Sequence, residues 1–187
     1  MIEGFRSLDA SALLQFWFEE TPPRQWFGKD PAFDEAVRER FGDLAEQALS
    51  GSLAAWGQHP AGALALVLLL DQVPRQIWRD QARAFAGDRQ ALALSRAGVE
   101  RGWVAAEPHQ HRRQFWLMPW MHAEDLAVQE AGLPLFSRFT DARTADYARR
   151  HRDVIARFGR FPQRNALLGR HSSPEELAFL QQPGSRF

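Results

Sequence analysis

The sequence predicts an all-α protein folded as a single domain over residues 1–187. Three observations carry this expectation. Apolar residues recur at helical spacing, most clearly at Phe33, Val37, Phe41, Leu44 and Ala48. Proline, serine and aspartate stand where helices begin and glycine where they end, at intervals that cut the chain into about eight short helices. No segment sustains the alternation of a strand, and no linker, low-complexity tract or charge block marks a second domain. With 45% hydrophobic residues, fourteen phenylalanines and seven tryptophans, the core is expected to be built on large rings.

In chain order, a first helix is expected from near Ser7, burying Leu13, Trp17 and Phe16 and ending before Thr21-Pro22-Pro23. Asp30-Pro31 supplies an N-cap and an N1 proline for the helix that carries Phe33 to Ala48. A third helix begins near Pro60 and runs as almost pure hydrocarbon to Leu70, where Pro74 is expected to push Val73 out of helical geometry. Asp88 is placed as the cap of a fourth, bearing Ala91, Leu92, Leu94 and Val99 and stopped by Gly102. Pro108 opens a fifth through Phe115 and Leu117, which Met118-Pro119-Trp120 is expected to break. His122 to Gly132 reads as a short helix closed by the glycine. From about Thr144 to Phe158, Tyr147, His151, Ile155 and Phe158 share one face. Gly159 ends that helix, Pro162 starts a short one to Leu168, and Ser173 to Glu176 has the form of a capping box.

Composition narrows the function classes. Basic and acidic residues number 23 each, so no net field attracts a nucleic-acid backbone. Cysteine is absent, which removes disulfides, thiolate zinc sites and thiol redox chemistry. The longest apolar run, Ala63 to Leu70, falls far short of the roughly 20 residues of a membrane span, and the N-terminus lacks the pattern of a signal peptide. A cytoplasmic protein without nucleic-acid or membrane partners is expected. Phosphate-binding glycine loops, the Gly-x-Ser-x-Gly elbow and dinucleotide fingerprints are missing.

Three polar stretches interrupt core-forming sequence. In the first, Asp71 follows an apolar helix and requires a compensating cation, for which Arg75 is nearest. The second, Arg157 to Arg170, holds Arg160, Arg164 and Asn165 around a turn among phenylalanines, where planar guanidiniums suit a carboxylate or phosphate. The third sets His122, Glu124 and Asp125 at a helix start. His-x-Glu lacks zincin spacing, so no metal is expected there, and no cofactor is implied. His151 reads as a hydrogen-bonded core histidine.

The blocks "LLLDQVPRQIWRDQARAFAGD", "LMPWMHAEDLAVQ" and "RFGRFPQRNALLGRHSSPEE" together resemble an uncharacterised bacterial family, a domain of unknown function, from about Leu13 to Leu180. The resemblance implies a tetratricopeptide-like α-α superhelix of stacked short helical hairpins. It implies no reaction or ligand. The family's blocks often carry serine at the position of Ala123 and histidine at that of Gln163, so a mechanism resting on those groups does not transfer. Asp71, Arg75, His122, Glu124, Arg160, Arg164 and Asn165 match the pattern and are expected to form a common pocket.

The leading expectation is a helical protein that binds a small anionic ligand or an acidic peptide terminus on Arg75, Arg160 and Arg164. The alternative is a hydrolase-like or transfer enzyme with His122 or Glu124 as acid or base, weakened by the lack of a nucleophile. The third is a structural or protein-interaction role in which the polar blocks satisfy one another.

Overall fold

The computed structural model describes residues 2–185 and the side chains of residues 9–185, and among the described residues it is helical without strands. The helices are α1 (Ile2–Gln15), α2 (Pro31–Leu49), α3 (Pro60–Val67), α4 (Val73–Ile77), α5 (Asp88–Glu100), α6 (Trp103–Ala106), α7 (Gln110–His122), α8 (Leu126–Phe139), α9 (Ala142–Phe158) and α10 (Pro174–Leu180). From α3 onward the stack advances along the chain: α3 lies on α5, α5 on α7, α7 on α8 and α8 on α9. On the other side, α1 covers α3 and α2 covers α4.

The core follows from the apolar spacing. Phe33, Val37, Phe41 and Ala48 of α2 are buried together with Ala45, while Leu44 is half-buried. All residues from Ala63 to Leu70 are buried, so α3 runs through the centre. At about 1.5 to 3 kcal/mol for each large aliphatic side chain, this segment is a principal source of stability. Trp17, Phe18, Trp26 and Phe115 meet edge to face at centroid separations of 5.0 to 6.2 Å, an arrangement that ring quadrupoles favour.

Prolines shape the helices differently from the sequence expectation. Pro74 does not unwind Val73, whose φ of −55° and ψ of −45° are helical. The chain widens into a π turn over Leu68–Gln72, with the Val73 N–H donating to Leu68, and then continues directly as α4. The extra residue absorbs the steric demand of the proline. A second π turn, Phe16–Glu20, extends α1; Thr21 donates to Phe16, Pro22 has no N–H, and the Trp17 carbonyl takes the Trp26 indole at 2.9 Å instead.

Nor does Pro119 break α7, which runs on to His122. The buried Ser95 hydroxyl donates to the Trp116 carbonyl and accepts the Trp120 indole at 2.9 Å, tying the turn around the proline to α5. Gly132 is likewise no stop: α8 continues through Pro134 to Phe139, and the glycine admits Trp120, whose Cβ would lie 3.1 Å from an added methyl.

Other corrections are local. The first helix begins at Ile2. Asp88 is the first residue of α5 and Gly87 is the cap, leaving the aspartate side chain for other partners. The buried face of α5 centres on Ala91, Ser95 and Gly98, with Leu92, Leu94 and Val99 half-buried. On α9, Tyr147 is exposed, and Ala148, Val154 and Ile155 do the packing with His151. Pro162–Arg164 forms one 3-10 turn followed by irregular turns rather than a helix to Leu168. The left-handed Gly159 and the Ser173–Glu176 capping box are as expected.

At Gly87 the α5 cap presses against the π turn. A methyl there would lie 2.9 Å from the Leu70 carbonyl carbon and closer still to its oxygen. Replacing glycine by alanine ordinarily stabilises an unstrained site by about 0.4 to 1 kcal/mol. Gly87→Ala is expected instead to destabilise the protein by about 1 to 3 kcal/mol through overpacking against backbone. Urea melts measure this, and an unchanged or raised midpoint would contradict the tight approach.

Candidate functional site

The π turn carries Asp71 and Gln72, both buried, and Gln72 lines a partly open cavity of about 360 Å³. Asp71 is fully excluded from solvent. One carboxylate oxygen lies 2.7 Å from His122 Nδ1, and the other accepts the Gln72 amide. Arg75, one turn further on, stands 3.4 Å from the carboxylate and donates to the Asp71 carbonyl at 2.6 Å. Burial by itself raises the Asp71 carboxyl, but His122, Arg75 and the hydrogen bonds from His122 and Gln72 more than offset it. The group is held well below the ordinary carboxylate range and is ionised near neutrality.

His122 enters from the last residue of α7, which reaches that point because Pro119 leaves the helix intact. A carboxylate only accepts, so Nδ1 carries the proton and points at Asp71. Burial lowers the proton affinity of the imidazole; Asp71 opposes this, Arg75 reinforces it, and the net direction is downward. The ring is therefore neutral at neutral pH. Nε2 is left without a hydrogen-bond partner among the described residues, on a side chain that lines the cavity.

Two guanidiniums share a single carboxylate on the same wall. Arg75 grips Asp88 with two bonds of 2.8 and 3.0 Å, and Arg164 reaches the same group at 3.1 Å. Arg164 also donates to the His122 carbonyl at 3.1 Å and lies between the Phe85 and Phe161 rings at 4.5 and 4.6 Å. Its burial outweighs the pull of Asp88, and Arg75 adds repulsion, so its affinity for a proton falls below the usual arginine value. At the rim stand Lys29, the one lysine of the chain, and Asp80, whose φ of 60° is left-handed. Lys29 has no ion-pair or hydrogen-bond partner among the described residues. The Gln163 side-chain oxygen, also at the cavity, is buried without a partner.

Of the seven residues expected to gather, Arg75, His122 and Arg164 meet at this wall, and Asp71 contacts the first two without lining the cavity itself. Glu124, Arg160 and Asn165 lie behind it. Glu124 accepts the Phe161 N–H at 2.7 Å and both arms of Arg170 at 2.6 and 2.9 Å. Asn165 receives Arg170 Nε and donates to Ser172. Arg160 is occupied by a two-bond pair with Glu176, at 2.7 and 2.9 Å, and by the His171 carbonyl. These contacts fasten the segment that carries Arg164. Arg157 is at the surface, paired with Glu175.

Sequence reasoning missed Asp88, Gln72 and Arg170. Asp88 ends the first of the polar blocks, but a helix-start aspartate has an ordinary capping role that masked its service to arginines 13 and 76 positions away. Gln72 could have been found beside Asp71 had a π turn rather than a helix end been anticipated. Among the described residues no cluster of three histidine, aspartate or glutamate side chains could hold a metal ion.

Removing the carboxylate by Asp71→Ala leaves Arg75 and Arg164 with one counter-charge between them. A loss of about 3 to 5 kcal/mol is expected from such an uncompensated buried cation. Urea denaturation checks it, and a loss below about 1 kcal/mol, the value of an exposed pair, would contradict the buried network.

Acid dependence has two sources. Burial, His122 and Arg164 push His151 down to about 3 from its ordinary 6.5, despite its Nδ1 bond to the Tyr147 carbonyl. The unfolded chain therefore takes up a proton that the folded chain refuses, and stability falls from about pH 6.5 toward 3. Glu176, held at about 2 from 4.5 chiefly by Arg160, adds stability present above the unfolded value and lost as pH drops through the folded one. Stability measured against pH is expected to flatten above pH 4.5 in His151→Gln and below it in Glu176→Gln. Unaltered profiles in both variants would refute the assignment.

The residues 13–184 match the model of a family described as bacterial protein of unknown function (DUF924). Among curated proteins none is similar enough to match. Among solved structures, the chain is similar to the protein of unknown function ATU0120 from Agrobacterium tumefaciens, at 36% identity, with a TM-score of 0.88 over 94% of this chain and 98% of that one. The helical architecture and the ordered polar blocks thus accompany a family match over nearly the whole sequence: the chain belongs to the DUF924 family.

Proposed function

We propose that the protein binds a small organic anion in the cavity between Arg164, Arg75 and His122. The observation that carries this reading is the placement of Arg164: a buried guanidinium on the cavity wall that shares its one carboxylate with a second arginine. An anion beside it adds to the compensation that Asp88 divides between the two guanidiniums. A guanidinium offers five N–H donors, and Arg164 gives two identified bonds to protein acceptors, one to Asp88 and one to the His122 carbonyl. The cavity lies within the range of roughly 300 to 1,000 Å³ that accommodates small ligands. Lys29 at its mouth favours the approach of negative charge.

The anion seat is smaller than the sequence suggested. Arg160, engaged by Glu176 and the His171 carbonyl, is left out of it. An extended acidic peptide spanning Arg75 to Arg160 is therefore disfavoured relative to a compact ligand. A wholly structural role accounts for the outer pairs of Arg160 and Arg170 but gives no reason for an open, cation-edged cavity.

Phosphate, sulfate or a small dicarboxylate is expected to raise the melting temperature beyond the effect of chloride at equal ionic strength. Ligand at about 100 times its dissociation constant adds roughly 2.7 kcal/mol. Arg164→Lys keeps the charge but loses the planar fork and the packing between two rings, and is expected to abolish most of the shift. A panel of anions no better than chloride would leave the arginines as internal struts and remove the reading.

A further inference from the structure

We propose that the cavity is catalytic: His122, oriented by Asp71, is a base that withdraws the proton next to the carbonyl of a small 2-oxo acid seated on Arg164. The inference rests on the anion-binding reading above and adds a reaction to it.

The first support is the direction in which the Asp71–His122 pair faces. A histidine kept only to hydrogen-bond a buried aspartate has no need to line a cavity. Here the Nδ1 proton is committed to the carboxylate at 2.7 Å, and Nε2 has no partner among the described residues while the ring lines the cavity. A carboxylate fixing the imidazole by Nδ1 sets the tautomer whose Nε2 is basic, and it stabilises the imidazolium once a proton arrives. Asp71 is itself fixed by Gln72 and Arg75, so the base cannot swing.

The second support is the inventory of groups around that nitrogen. Among the described residues no serine, threonine, tyrosine or cysteine lines the cavity, so none of them offers a side-chain hydroxyl or thiol to attack a ligand. Glu124, the other acid or base expected from the sequence, is locked by Arg170 and the Phe161 N–H. Asp80 and His151 also line the cavity, the latter bonded to the Tyr147 carbonyl, and His122 is the base that a carboxylate orients beside the cationic wall. Moving a proton off and back onto the same carbon needs only those two components. A 2-oxo acid matches them: its carboxylate answers the guanidiniums, and its carbonyl acidifies the neighbouring C–H.

The step balances without an added reactant. The Nε2 lone pair takes the proton, the C–H electron pair becomes the carbon–carbon double bond of an enolate, and the carbonyl oxygen receives the negative charge. Arg164 lies on the same wall to stabilise that charge, and Asp71 faces the new imidazolium. Return of the proton from Nε2 restores the ligand. In heavy water the returning nucleus is deuterium, so turnover appears as exchange.

The experiment incubates the full-length protein with pyruvate, and separately with 2-oxoglutarate, in deuterated buffer and follows the C3 proton signals by NMR. Melting-temperature shifts are recorded with the same two compounds. The expected result is a stabilising shift with at least one compound and loss of its C3 signal at least tenfold faster than in protein-free buffer. His122→Gln, checked for its fold by circular dichroism, should return exchange to background. Where that variant does not fold, protection of wild-type His122 from diethyl pyrocarbonate by the same compound replaces it, and absence of protection counts against the proposal. A shift without exchange overturns the catalytic inference and leaves anion binding standing. Neither shift nor exchange overturns both. His122-dependent hydrolysis of p-nitrophenyl acetate without carbon exchange also overturns the proposal, since water would then be the group deprotonated.

Discussion

A fully buried carboxylate is the constraint around which this protein is organised. Asp71 has no access to water, so its ionised form persists only because His122, Gln72 and Arg75 all turn toward it. An isolated charge in that position would cost several kcal/mol or more, a large share of the net stability of a domain of this size. Each of its partners creates a further requirement. Arg75 needs Asp88, and Asp88 draws in Arg164. Arg164 in turn must be held in place by a segment that has little regular structure of its own. Compensation for one charge thereby ties together the π turn after α3, the starts of α4 and α5, the end of α7 and the turn after α9.

That last segment shows how an irregular loop is made rigid. Between Phe161 and Arg170 one 3-10 turn is followed by irregular backbone turns, and side chains add the bonds that fix them. Glu124 clamps the Phe161 N–H and the Arg170 guanidinium, Arg170 returns to Asn165 and the Phe161 carbonyl, and Glu176 both caps α10 and takes Arg160. The residues behind the cavity wall are therefore positioning residues for Arg164. Charge-assisted, two-bond pairs suit this purpose because they fix orientation as well as distance.

Most of the helices were legible because apolar spacing and caps are local signals. Phe33 to Ala48 with Asp30-Pro31, Gly102, Gly159 and Ser173 to Glu176 behave as their immediate neighbours dictate. Pro74 and Pro119 did not, since the energy that keeps each helix going is tertiary: the buried run of α3 in one case and the Ser95 hydroxyl from α5 in the other. The meeting of Asp71, Arg75, His122 and Arg164 was legible because buried charge demands a partner. Which partner was not. Arg160 and Arg164 look alike in sequence, and only the fold sends one to Glu176 and the other to Asp88.

The widened turn at Leu68–Gln72 carries a consequence for how this chain can vary. It holds one residue more than a plain helical turn, and the residues that follow are read off the helix at about 100° apiece. Deleting a single amino acid between Leu68 and Gln72 would swing the downstream side chains by that angle, carrying Arg75 off Asp88, Gln76 off the Trp26 carbonyl and Arg79 off Asp34 together. Substitution at these positions is graded, whereas a change of length is all or nothing. The stretch from α3 into α4 is consequently closed to insertion and deletion, although by local sequence alone it resembles a helix that could be shortened at its end.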